Sequence, residues 1–382
     1  MNTTEARRTV NIALVGGGFM GKEHSKAYAL APVICPNIAA TPVKKILCDT
    51  IPEVAEKNAK LWGYEEWTTD LDEILARDDI DIVDFCTPPF LHAEEAIATM
   101  KAGKFVILEK PMTTTVEDAE AILEAARKYN GRGACCFNKR RWPAVNQARK
   151  LIKDGAIGIP LIYNGRYCLG GGFKAANWYS FRSDWKTGGG FADSTSHIVD
   201  LCNFILDDDV DELVADVDCF QKVCYEYTKD GGKIEHPRSQ EDLALITARM
   251  KSGVHATFYR TSMYHGAGEN LTFEVLGTTG GLRWTAEKPS ELWMYQVDHD
   301  AADESGWRKI FMGGQHAYGD SVPAMADFGV GVADQMSFQA YEFINAYVNG
   351  TEPDTSLEHG YKVVKVCDAA RQSQATRGWI KI

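Results

Sequence analysis

The stretch VNIALVGGGFMGKEHSKAY, Val10 to Tyr28, carries the pattern that decides the fold. Val10–Val15 is a short apolar run that ends in glycines, and from Lys22 to Leu30 the residues read as a helix. Between them, Gly16, Gly18 and Gly21 fit G-x-G-x-x-G. Alone that match is weak and can mark a glycine-rich turn that binds nothing. Here it follows an apolar strand and opens a helix, which is the context the motif needs. The first glycine permits a tight turn, the second lets backbone approach a pyrophosphate, and the third lets helix and strand pack closely. A helix N-terminus then offers free N–H groups and the positive end of its dipole. The loop, with Phe19 and Met20 inside it, is therefore expected to hold a dinucleotide.

The chain around this loop alternates strand and helix. Val43–Cys48, Ile80–Cys86, Phe105–Leu108 and Gly133–Phe137 read as strands. Glu53–Leu61, Leu71–Arg77, Ala93–Ala102 and Val116–Tyr129 read as the helices between them. Such alternation implies right-handed crossovers and a parallel sheet with helices on both faces, a Rossmann domain. The second strand ends in Asp49, whose carboxylate suits ribose hydroxyls and repels a 2′-phosphate; Thr50, not an arginine, follows. NAD is therefore expected over NADP. Asp49 lies 28 residues beyond Gly21, against about 20 in the usual spacing. The proline-rich segment Ala31–Pro42 reads as a surface insertion that accounts for the excess.

From about Ile159 the pattern changes to alternating apolar segments. These are Pro160–Cys168, Glu212–Tyr227, Asp242–Met250, Val254–Met263, Leu271–Leu276, Gly281–Ala286, Leu292–Val297 and Arg308–Met312. Turn signals bound them, and together they read as one large, mainly antiparallel open sheet in an α+β domain. A glycine run and helix over Thr187–Leu206 interrupt the series, and helices at Asp334–Val348 and Leu357–Thr376 close the chain. The expected division is an NAD-binding domain over residues 1–140 and a substrate-binding and oligomerisation domain over 141–382, whose last helices can pack back on the first.

Composition bounds the function. The 382 residues suit two domains, and 45% hydrophobic with 25% charged residues is ordinary globular material. A net charge of −12 argues against nucleic acid, which needs a basic face. Met1–Val10 is polar and does not read as a secretory signal, and no stretch approaches the ~18 apolar residues of a membrane span. The 10 cysteines are scattered without a C-x-x-C pair. They read as reduced thiols of a cytoplasmic protein, with no metal site expected.

Two further segments suggest chemistry. Glu109-Lys110-Pro111 follows a parallel strand at its carboxyl end, where ligands of open α/β sheets bind. Lys110 there can meet a substrate hydroxyl, or can simply be a surface lysine. In GGGFADSTSHIVD, Gly188–Asp200, a helix places Asp193 and His197 on one face as an i, i+4 pair. A histidine beside a carboxylate is a sound general base. Asp193 can instead cap the helix, His197 can be a core histidine, and Asp200 is as compatible with a structural role as with substrate.

At these residues the chain resembles the Gfo/Idh/MocA oxidoreductases over nearly its whole length. The resemblance rests on the glycine loop, Cys86-Thr87-Pro88-Pro89 with His92, Glu109-Lys110-Pro111, Asn138-Lys139-Arg140-Arg141-Trp142-Pro143-Ala144 and the Asp193/His197 segment. It implies cofactor contacts from Thr87, Pro88, His92, Glu109 and Lys110 beside the loop and Asp49. It also implies catalytic roles for Lys110, Asp193 and His197: the histidine takes the hydroxyl proton, the lysine holds that hydroxyl, and the aspartate orients the pair. Substrate contacts are expected from Arg140 and, in the aromatic-rich segment Gly170–Lys186, from Asn177, Trp178 and Arg182; aromatics there can equally be core or interface. The wording is most like members acting on glycosides, anhydrosugars or cyclitols, and C3 of a glucoside is the expected position. Two alternatives remain open: a hydrolase or lyase working through a transient 3-keto intermediate, and a non-catalytic NAD sensor. Homo-oligomerisation through the open sheet face is expected.

Overall fold

A computed structural model describes residues 8–172, 178–297, 303–322, 325–326 and 328–382. The first sheet has six strands: β1 (Thr9–Val15), β2 (Thr41–Cys48), β3 (Glu66–Thr68), β4 (Ile82–Phe85), β5 (Phe105–Leu108) and β6 (Gly133–Cys135). All pair in parallel, in the order β3-β2-β1-β4-β5-β6. The order reverses beside β1, so a crevice opens at the carboxyl ends of β1 and β4. Helices α1 (Phe19–Ile34), α2 (Pro52–Trp62), α3 (Leu71–Leu75), α4 (His92–Lys101) and α5 (Val116–Tyr129) make the crossovers. Strands β4 and β5 are buried throughout, as strands covered on both faces must be.

The helix after the glycine loop runs on to Ile34, past the expected Leu30. Ala31, Cys35, Ile38 and Ala40 are buried, and the Ala39 N–H donates to Asn345 Oδ1 across the molecule. Ala31–Pro42 is thus no surface insertion. These four residues are buried, and the first helix lies against a C-terminal helix, a contact invisible to local sequence.

After α6 (Pro143–Lys153) the chain enters a nine-stranded sheet. Its strands are β7 (Pro160–Leu169), β8 (Val210–Asp218), β11 (Leu243–Met250), β12 (His255–Thr261), β13 (Glu269–Gly277), β14 (Gly280–Thr285), β15 (Glu291–Gln296), β16 (Arg308–Phe311) and β17 (Ile380–Lys381). They lie in the order β16-β15-β14-β13-β7-β12-β11-β8-β17. Every pair is antiparallel except β7 with β12. Helices α7 (Gly190–Leu206) and α9 (Leu357–Thr376) cover one face. In β11, Ala244, Ile246, Ala248 and Met250 are buried, while Leu245, Thr247 and Arg249 are exposed. The period-2 alternation is that of a sheet with one wet face.

One expected strand, Glu212–Tyr227, is two. Asp242 accepts the N–H groups of Phe220 and Gln221 and an ion pair from Arg238, which turns the chain out of the sheet. β9 (Val223–Tyr227) then pairs with β10 (Lys233–Pro237), outside the large sheet. The C-terminal helices pack back on the first domain. α8 (Val332–Asn349) lies against α1, and α9 touches α5. Tyr347 donates to Asp81, and Arg132 donates to the carbonyls of Ala346 and Thr351.

Candidate active site

The glycine loop is built by close approach. Gly16 has φ +102, a left-handed conformation that side chains rarely adopt, and a Cβ there would meet the Cys86 backbone at 2.9 Å. A Cβ on Gly21 would lie 2.1 Å from the Gly16 carbonyl oxygen. Gly18, by contrast, faces open space with nothing within 4 Å, and α1 starts there with no side-chain cap. An open backbone cradle before an uncapped helix N-terminus fits a pyrophosphate. Asp49 stands beside it, accepting the N–H of Gly17 at 2.8 Å and that of Ile51 at 2.9 Å.

A cleft of about 330 Å³ runs from this loop. Gly18, Phe19 and Met20 line it together with Thr87 and Pro88, and so do Glu109, Lys110 and Asp193. Lys110 follows β5 in the first domain, and Asp193 sits in the first turn of α7 in the second. Lys110 Nζ donates to Asp193 Oδ1 at 2.6 Å and to the Asp193 carbonyl at 3.1 Å. Burial pushes the Asp193 carboxyl up, but Lys110, with Arg182 and Arg260, outweighs it and holds the carboxyl below its ordinary range.

His197 lies one helical turn further on, buried, with its ring between Tyr167 (centroids 5.9 Å apart) and Phe137 (6.5 Å). The expected Asp193–His197 couple is not formed: Asp193 spends its carboxylate on Lys110, and His197 Nδ1 is buried with no hydrogen-bond partner among the described residues. Burial first, and then the cations Lys110 and Lys139, press the imidazole well below its ordinary value. It is neutral at physiological pH, the form a proton acceptor requires.

Behind Lys110 lies a buried chain of polar groups. His24 contacts Asp84 Oδ2 through Nδ1 at 2.7 Å and Glu109 Oε1 through Nε2 at 3.0 Å. Tyr28 donates to the same Asp84 oxygen at 2.6 Å, and the backbone N–H of Lys110 donates to Glu109 Oε2 at 3.0 Å. Burial alone would lower His24, but Asp84 overrides it and holds the imidazole well above its usual range. As an imidazolium it donates from both nitrogens and fixes Glu109, which fixes the main chain at Lys110. Asp84 gave no signal in the sequence, because it sits inside an apolar strand.

Several expected contacts fall elsewhere. His92 is buried, with both ring nitrogens engaged by the carbonyls of Thr87 and Met112, so it pins two loops and presents no free nitrogen to a cofactor. Arg140 is also interior. It binds Asp200, the Asp354 carbonyl and His359, and stacks on Phe204, so its guanidinium is spent on holding α7 and α9 and is not a substrate contact. Asp200 is its fully buried partner, which decides for a structural role. Arg182 lines the cleft. Trp178 is exposed and packs on Tyr227 of the β9–β10 hairpin, not in the cleft. Asn177 lies outside the described residues.

This arrangement has relatives. Residues 10–135 match the family model described as oxidoreductase family, NAD-binding Rossmann fold, and residues 145–283 match the GFO/IDH/MocA C-terminal domain. A levoglucosan dehydrogenase from Pseudarthrobacter phenanthrenivorans is 31% identical over 98% of either chain.

The chain belongs to the Gfo/Idh/MocA oxidoreductase family.

Its first domain is the family's NAD-binding domain, and NAD is its cofactor. A levoglucosan dehydrogenase solved with NADH and levoglucosan has the same fold, with a TM-score of 0.92 at 32% identity over 98% of this chain and 100% of that one. A scyllo-inositol 2-dehydrogenase (NAD(+)) from Bacillus subtilis is 28% identical over 72% of this chain and 73% of its own length. In this family member Gly18, Lys110 and Asp193 line one cleft.

Proposed function

We propose that this enzyme oxidises a secondary hydroxyl on the ring of a sugar, glycoside or cyclitol to the ketone, with C3 of a glucoside as the favoured position. The observation that carries the reading is the meeting of Lys110 from one domain with Asp193 from the other at the cleft of the glycine loop, with His197 buried one helical turn beyond Asp193. Bound NAD supplies the hydride acceptor, nicotinamide C4. His197 takes the hydroxyl proton as its O–H bond breaks. Lys110 donates to the hydroxyl oxygen and stabilises the negative charge that develops there as the C–H electron pair departs and the C=O bond forms. Asp193 holds the ammonium in place. The sugar- and cyclitol-dehydrogenase names of the relatives support the substrate class.

The test is NADH absorbance with NAD and a panel of levoglucosan, glucosides and inositols, followed by identification of the oxidised carbon. Turnover is expected; silence across the panel with NAD bound would favour the sensor. We also propose self-association through the open sheet face, where Arg166, Tyr259 and Trp293 surround a depression of about 670 Å³. A cytoplasmic location is proposed from the ten free cysteines. Among the described residues no helix is long and apolar enough to cross a membrane.

A further inference from the structure

Three residues that the proposed reaction does not use stand around His197. Lys139, in the turn before α6, is buried and pairs with Glu269 Oε1 at 2.5 Å. Tyr167 of β7, whose ring packs on His197, donates its hydroxyl to the same oxygen at 2.7 Å. Leu271 is the register partner of Tyr167, so Glu269, two residues earlier on β13, is the diagonal neighbour of Tyr167 on the same sheet face. The cluster faces the reacting groups: the charge of Lys139 is felt at His197, that of Lys110 at Glu269, and that of Asp193 at Tyr167.

A carboxylate has about four acceptor positions. Oε1 of Glu269 is held by two donors, while its side chain is 37% exposed. A part-exposed carboxylate with one oxygen fixed by two donors keeps acceptor positions for hydroxyl donors. Charge narrows the ligand. Both ammonium groups near the imidazole are paired with carboxylates, Lys110 with Asp193 and Lys139 with Glu269. Neither is left over for an anion.

We propose that Glu269, braced by Lys139 and Tyr167, forms a second subsite that binds hydroxyls of an uncharged polyol away from the reacting carbon. This rests on the dehydrogenase reading above and extends it to a specificity-determining residue. The subsite selects neutral rings over uronates.

The experiment is steady-state kinetics of the NAD-loaded enzyme on levoglucosan, myo-inositol, methyl α-D-glucopyranoside and D-glucuronate, with monodeoxy levoglucosans and the variant Glu269→Gln. The neutral rings should turn over and glucuronate should not. Glu269→Gln should raise KM about tenfold or more, the scale of a hydrogen bond to a charged group. One monodeoxy compound should show the same penalty on the unaltered enzyme, and the variant should add nothing to it. Should the variant fail to fold, judged by its melt and NAD binding, the deoxy series on the unaltered enzyme decides. An unchanged KM in the folded variant, a deoxy series without any penalty, or preferred turnover of glucuronate would overturn the subsite while leaving the dehydrogenase reading intact. No NADH from any polyol would overturn the dehydrogenase reading, and the subsite with it.

Discussion

Among the described residues no carboxylate pairs with His197, and burial with the neighbouring cations decides its titration. Burial and the neighbouring cations lower its pKa, so the imidazole stays neutral as pH falls through the ordinary histidine range. The acid limb of kcat/KM for alcohol oxidation is therefore expected below pH 6.5, the unperturbed value. Lys139→Met removes one of those cations and leaves Glu269 unpaired. Both changes raise the imidazole pKa, so the limb should move to higher pH; a pH–rate profile that did not move would contradict this electrostatic account. Lys110→Ala should lower turnover by roughly 10²-fold or more, the scale of proton-transfer assistance, with NAD affinity by titration little changed. The types of these residues were readable from the chain, since EKP after a strand and D-x-x-x-H on a helix mark them. Their pairing was not. Asp193 prefers an ammonium at 2.6 Å over the imidazole one turn away, and that ammonium comes from a residue 83 positions earlier.

At the scale of elements, the strand–loop–helix start is held by its glycines, and Gly21 is the stringent one. A methyl there would sit 2.1 Å from a backbone oxygen that cannot swing aside. Gly21→Ala should therefore cost about 1–3 kcal/mol of stability, typical of overpacking, and weaken NAD binding together with it; calorimetry and a fluorescence titration would show both. Apolar runs and glycines sufficed to locate β1, β4 and β5, because a parallel strand buried on both faces is nearly continuous in hydrophobic residues. They failed at Glu212–Tyr227, where the break depends on Asp242, a carboxylate some 20 residues away capping the turn. They failed also at Ala31–Pro42, where prolines suggested exposure but Ile38 and Ala40 are buried.

For the whole molecule, the nine-stranded sheet has helices on one face only, and exposed Leu245 with the depression at Arg166, Tyr259 and Trp293 marks the other. A face of this kind is commonly buried between subunits. Sedimentation should give a dimer or larger assembly, and a monomer at micromolar concentration would refute it. The sequence by itself determined the two-part architecture and the dinucleotide loop, and it marked Lys110, Asp193 and His197 as candidates. Each of these is written in local periodicity or in a short motif, where neighbours in sequence are neighbours in space. Only the tertiary structure decided that Arg140 and His92 are spent on internal bonds, and that His24, Asp84 and Glu109 form one chain behind Lys110. It alone brought Lys139, Tyr167 and Glu269 around the imidazole. Coulomb energy and hydrogen bonds fall off with distance through space, and segments 60–130 residues apart along the chain reach hydrogen-bonding distance only once the sheets have formed and the C-terminal helices have closed over the first domain.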